Sequence, residues 1–89
     1  MPYIKQERRL RLMSTLEPLC EWVRDNATPG DLNYLMTVLA NDYAHAGGLS
    51  YQRINDVMGV FSSAAAEFYR KVAVPYEHKK EAENGGVYD

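Results

Sequence analysis

Apolar residues recur at every third or fourth position along most of this chain. The longest such pattern lies in SYQRINDVMGVFSSAAAEFYRKV, residues 50–72, where the apolar positions are Ile54, Val57, Met58, Phe61, Ala65, Phe68 and Val72. This spacing places the apolar side chains on one face of an α-helix. We therefore predict a helix over residues 51–74, about 36 Å long at 1.5 Å per residue.

The same periodicity predicts three shorter helices earlier in the chain. Residues 29–46 follow the start signal TPGD and precede the stop signal Gly47-Gly48. Proline is tolerated in the first turn of a helix and disrupts its interior, so Pro18 should divide the first segment into helices 5–15 and 18–26. For the same reason Pro75 should kink or end the long helix, with one or two helical turns after it.

No segment shows the alternation of apolar and polar residues that is typical of a half-buried strand, so the predicted fold class is all-α. The expected architecture is a small bundle of three to four helices with one long C-terminal helix kinked near Pro75. The 89 residues should form a single helical domain, with a polar C-terminal tail from about residue 84.

The length of the predicted helix indicates self-association. A compact domain of this size has a diameter near ~30 Å, so the helix is as long as the whole molecule and part of its apolar face would stay exposed in a monomer. Cys20 is the only cysteine, so no disulfide forms within the chain. A core this small adds only a few kcal/mol of net stability. We therefore expect a homo-oligomer.

Residues that could support catalysis or bind a metal are few and scattered. His45 and His78 have no second ligand at i+3 or i+4, and Cys20 lies beside Trp22 on an apolar face. The sequence therefore predicts no enzyme, no metal site and no cofactor. No apolar run reaches the ~18 residues that span a bilayer, and the N-terminus lacks the apolar core of a signal peptide. A cytoplasmic protein is expected.

Cations gather near both ends of the chain, although the net charge is −2, which disfavours binding to duplex nucleic acid. Residues 1–11 and 69–80 each hold four lysines or arginines against one glutamate, and tyrosines accompany both clusters. Arginine presents a planar fork to phosphate, and a tyrosine ring stacks on a base. We predict a site for a nucleotide-type anion at Tyr3, Arg8, Arg9, Tyr69, Arg70, Tyr76, Lys79 and Lys80. Alternatively these residues form subunit interfaces, where tyrosine and arginine are also enriched.

Four blocks spread over the chain resemble a family of short, uncharacterised phage and prophage proteins: MPYIKQERR, GDLNYLMT, SYQRINDVMGV and EFYRKVAVPYEHKK…ENGGVY. His78 and Gly86 stand where that pattern has acids, and the segment between Arg9 and Thr28 matches it poorly. The resemblance brings no catalytic residues with it. It implies a phage-encoded accessory protein in the host bacterial cytoplasm, where such proteins often counter host defence and some sequester nucleotide second messengers.

Residues and resemblance together favour a non-catalytic binding protein that sequesters a nucleotide-type host immune signal in pockets between protomers. Its expected partners are further copies of itself and a nucleotide second messenger, without a membrane and without duplex nucleic acid. Two alternatives stay open. One is a protein–protein inhibitor of a host defence or replication factor, and the other is a structural phage accessory protein.

Overall fold

The computed structural model describes residues 4–88, which form helices and no strand. The helices are α1 (Gln6–Asn26), α2 (Pro29–His45), α3 (Tyr51–Phe68) and α4 (Val74–Asn84), and a π-helical turn (Tyr69–Ala73) joins α3 to α4 without a break. The all-α prediction is confirmed for this part of the chain, with three helices of which the last is long. The bundle and the homo-oligomer stay predictions.

The chain divides into an N-terminal unit, Met1–Gly48, which carries α1 and α2, and a C-terminal unit, Leu49–Asp89, which carries α3, the π turn and α4. No residue between 4 and 88 is buried. Because the C-terminal unit is one continuous helix, it contains no second helix that could cover its apolar side. The single-domain organisation stays a prediction.

α1 runs through Pro18, so the predicted division into helices 5–15 and 18–26 is wrong. Proline has no N–H, and the carbonyl of Ser14 therefore lacks its usual helical donor four residues later. Ser14 and Pro18 are both exposed, so water can reach that carbonyl. An exposed helix loses less from the missing hydrogen bond than a buried one would.

α2 begins at a capping box formed by Thr28 and Asp31. The Asp31 N–H donates to the Thr28 hydroxyl at 3.2 Å, and the Thr28 N–H donates to the Asp31 carboxylate at 2.9 Å. Pro29 follows in the first turn, where no N–H is needed. The helix ends before Gly47 and Gly48, whose φ angles of 75° and 108° suit glycine. The predicted helix 29–46 is thus confirmed to within one residue.

The C-terminal helix begins at Tyr51 and is capped by Ser50, whose hydroxyl accepts the Arg53 N–H at 3.2 Å. It stays helical past Pro75 to Asn84, so of the two predicted effects of Pro75, a kink or an end, the helix does not end there, and the helical turns predicted after Pro75 are confirmed. In a regular α-helix the ring of Pro75 would clash with the Lys71 carbonyl. The wider π turn contains that carbonyl, and its i→i+5 bond runs from the Val74 N–H to the Tyr69 carbonyl.

Thr28→Ala should lower the free energy of unfolding by about 1 kcal/mol, within the ~0.5–2 kcal/mol typical of N-cap substitutions. Urea denaturation followed by circular dichroism measures the change. Thr37→Ala is the matched control, because the Thr37 hydroxyl donates to the Asn33 carbonyl inside the same helix and caps nothing. Equal losses in the two variants would contradict the capping role of Thr28.

Pro18→Ala should raise the free energy of unfolding by ~1–3 kcal/mol, since alanine is about 3 kcal/mol better than proline inside a helix and the flexible unfolded chain offsets part of this. The alanine N–H can donate to the Ser14 carbonyl. Pro29→Ala, in the first turn of α2, serves as the control and should change stability little. A free energy of unfolding lower than that of the unmodified protein would contradict this prediction and show that proline at position 18 stabilises the fold.

Candidate functional site

The predicted ligand residues fall into two groups, one in each unit. Arg8 and Arg9 lie near the start of α1, whereas the other described residues lie in the π turn and α4: Tyr69, Arg70, Tyr76, Lys79 and Lys80. Tyr3 lies outside the described residues. Each group has its own geometry.

An open hollow of about 530 Å³ lies at the start of α1 and is lined by Ile4, Lys5, Glu7, Arg8 and Arg11. We call it the N-terminal hollow. Its lining contains three cations against one carboxylate, so it favours an anion. Its volume falls within the roughly 300–1,000 Å³ of small-molecule sites. Arg8 is therefore placed where an anionic ligand can reach it.

Arg9 has a different setting from Arg8. Its Nε donates to the Ile4 carbonyl at 3.0 Å, just before the first turn of α1. This bond ties the guanidinium to the backbone at the start of the helix, and Arg9 is not among the residues that line the hollow. Arg8 and Arg9 therefore lie in different surroundings, as expected of adjacent positions, which point to different sides of a helix.

Lys5 and Arg11 line the hollow, although the predicted site included neither. With Arg8 they follow one another at intervals of three residues, which puts all three cations on one side of a helix. That spacing was visible in the sequence and could have distinguished these residues from Arg9.

In the C-terminal group two of the predicted phosphate ligands already have carboxylate partners. Arg70 Nη2 lies 2.7 Å from Glu67 Oε2, and Lys80 Nζ lies 3.2 Å from Glu83 Oε2. Each pair joins residues three apart on the helix surface. Arg70, Lys80 and Glu83 are exposed and Glu67 is half-buried. Ion pairs that solvent reaches contribute only ~0–1 kcal/mol, so a phosphate could compete with either carboxylate.

Tyr76 and Lys80 bring a ring and a cation together on α4. Lys80 Nζ lies 5.6 Å from the centroid of the Tyr76 ring, within the ~6 Å range of a cation–π interaction. Positions four residues apart share one face of a helix, which explains the contact. Lys79 and Tyr69 are exposed nearby in sequence. The C-terminal group therefore offers an aromatic face beside a positive charge.

Residues 4–88 contain no group of three or more histidine, cysteine, aspartate or glutamate side chains that could hold a metal ion. Cys20 is a half-buried free thiol on α1. Within the same described range, none of the helices has both the length and the apolar character needed to cross a membrane.

A family model described as a domain of unknown function (DUF6899) matches residues 1–87. The chain belongs to the DUF6899 family. No significant match was found among curated proteins or among solved structures. Membership in DUF6899 covers nearly the whole chain and assigns no activity, so the function has to be argued from the residues.

Glu67→Gln should strengthen the binding of pyrophosphate roughly two- to fivefold, because it removes a carboxylate that competes for Arg70 at a cost of under ~1 kcal/mol. Isothermal titration with pyrophosphate measures the affinity. Glu17→Gln in α1 makes the same change of charge at a residue that forms no ion pair with Arg70 and is the control. Equal increases in both variants would indicate a general charge effect and contradict a phosphate role for Arg70.

Proposed function

We propose that this DUF6899 protein is a non-catalytic binding protein that sequesters a nucleotide-type anion in pockets between protomers. The observation that carries the proposal is the N-terminal hollow, where Lys5, Arg8 and Arg11 line an open space with the volume of a small-molecule site. Holding a ligand requires complementary charge, and the exposed cations that line the hollow offer it.

The two cationic groups suit different parts of a nucleotide. The hollow has two arginines, whose planar forks match phosphate oxygens. The α4 group has the Tyr76 ring, on which a base can stack, and Lys80 beside it. Each group is thus half of a nucleotide site, and we propose that a second protomer completes it. Arg70, Lys79 and Tyr69 would add contacts in the C-terminal half.

The proposed setting is the cytoplasm of a phage-infected bacterium. This setting rests on the resemblance of four sequence blocks to phage and prophage proteins and on the reasoning that a small binding protein counters host defence by removing a signal. The ligand in that setting is a nucleotide second messenger made by the host.

A protein–protein inhibitor is the second candidate, and one observation favours it. Large apolar side chains are exposed on every helix, among them Trp22, Leu39, Phe68 and Tyr76. Exposed aromatic and aliphatic side chains are the usual anchors of protein interfaces. In this alternative the same surface blocks a host defence or replication factor and holds no nucleotide.

Arg8→Ala should weaken nucleotide binding roughly ten- to hundredfold, as expected for the loss of one charge-assisted phosphate contact of about 1.5–3 kcal/mol. Isothermal titration with mono-, di- and cyclic nucleotides measures the affinity. Arg8→Lys should recover only part of it, because lysine lacks the planar fork.

Arg24→Ala is the matched control for Arg8→Ala. It removes the same side chain from the last turn of the same helix, outside the hollow, and should leave the affinity unchanged. If the unmodified protein gives no heat with any of these nucleotides, sequestration is wrong and the protein-inhibitor candidate takes its place.

A further inference from the structure

The apolar side of the C-terminal unit is a large surface that the proposed ligand site does not use. Six positions form it at alternating intervals of four and three residues: Ile54, Met58, Phe61, Ala65, Phe68 and Val72. We call these six residues the seam. Met58 is 61% exposed, Phe68 63% and Val72 50%, and Phe61 is half-buried. A continuous helix cannot cover its own side, so the seam needs a partner.

We infer that a second copy of this chain covers the seam, with its α3 running antiparallel and a two-fold axis passing beside Ser63. The inference rests on the proposed function, because it supplies the protomer pairing that pockets between protomers require. It goes further in naming the surface, the orientation and the register of the pair.

The sizes of the seam residues select the antiparallel orientation. Antiparallel pairing about residue 63 sets Ile54 opposite Val72, Met58 opposite Phe68 and Phe61 opposite Ala65. Every layer then joins side chains of compatible volume. Parallel pairing stacks Phe61 on Phe61 and Ala65 on Ala65, so a bulky layer adjoins an empty one. Protein interiors are packed nearly as densely as organic crystals, which disfavours such voids.

The positions beside the seam allow a close approach at its centre. Ser62 and Ala64 flank the seam there, and each would face its own copy across the two-fold axis. Their small side chains permit helix axes near the lower end of the usual ~8–10 Å separation. Lys71 is the charged flanking position and would face Val57, which its aliphatic stem can cover. The pairing therefore opposes no like charges along the seam.

The area of the seam is a large part of what a dimer needs. With roughly 150–250 Å² for each aromatic side chain and less for each aliphatic one, the exposed parts of the seam amount to about 500 Å². A standard interface buries ~800 Å² on each partner. The flanking positions supply the remainder. The four central layers, from Met58 to Phe68, lie in the regular α-helix before the π turn.

Disulfide cross-linking between two different single-cysteine variants tests the register. Met58→Cys and Phe68→Cys are each made in a Cys20→Ser background, mixed, and equilibrated in a glutathione redox buffer. Intact-mass spectrometry then separates the mixed disulfide from the two homodisulfides. We expect the mixed disulfide to exceed either homodisulfide about tenfold, since only residues with facing Cβ atoms about 3.5–4.5 Å apart form an unstrained bridge.

Ala66→Cys is the control, because Ala66 is exposed on α3 outside the seam and should form little disulfide with any variant. Dominant homodisulfides of Met58→Cys would overturn the antiparallel orientation. Little cross-linking with any variant, together with a monomer mass, would show that the seam is covered by the chain itself or by another protein, and would overturn the pairing.

Light scattering provides a second measurement that does not depend on the cysteine variants. The unmodified protein should have at least twice the 10.1 kDa mass of one chain, and Phe68→Asp should reduce it, with the helical circular dichroism signal as the check on folding. A monomeric unmodified protein would overturn the inference. Nucleotide titration reports separately on the proposed function, so the pairing and the ligand can fail independently.

Discussion

Each helix of this protein is fixed by hydrogen bonds that are local in sequence. Helical bonds join residues four apart, five apart across the π turn, and the caps at Thr28 and Ser50 reach three residues forward. Such bonds fix the path of each helix but bury little apolar surface. Helices of this length are marginal in water without an apolar contact, so most of their stability has to come from packing. Everything else about this protein depends on where that packing comes from.

The three prolines of the described region show how context decides the effect of one residue type. Pro29 starts α2, as its first-turn position predicts. Pro18 lies deep within α1, where an exposed helix lets water serve the carbonyl that the proline leaves without a donor. Pro75 follows a widened turn that makes room for its ring. The sequence predicted the first case well. It could not separate the other two, because solvent access and turn width are properties of the folded helix.

The fold was largely predictable because capping and periodicity are local. The sequence TPGD, the serine at position 50 and the glycine pair after α2 mark helix boundaries that the structure has within one residue. The packing between helices was less predictable, because the seam residues mark an apolar face but do not indicate which surface covers it. Local rules therefore give the helices and leave their partners to longer-range packing.

The sequence predicted the residue types of the candidate site better than it predicted which residues belong to the site. Cations near each end of the chain were evident from the sequence, and Arg8 lines the N-terminal hollow as expected. Lys5 and Arg11 were missed because clustering in sequence was weighed above helical spacing. The Arg70–Glu67 pair was missed as well, because a count of charges in a window does not show which side chains meet. In both cases the prediction did not take into account the direction in which each side chain points around its helix.

The π turn also changes the direction in which side chains point around the helix axis. A π turn accommodates one residue more than the α-helical turn it replaces, and each residue of an α-helix advances by about 100°. The turn therefore rotates Tyr76 and Lys80 around the helix by roughly one residue's angle relative to the seam residues of α3, Ile54 to Phe68. The number of residues between two surfaces on one helix thus sets the angle between those surfaces. Loss of a single residue there would re-aim the whole C-terminal cationic face and leave its composition untouched.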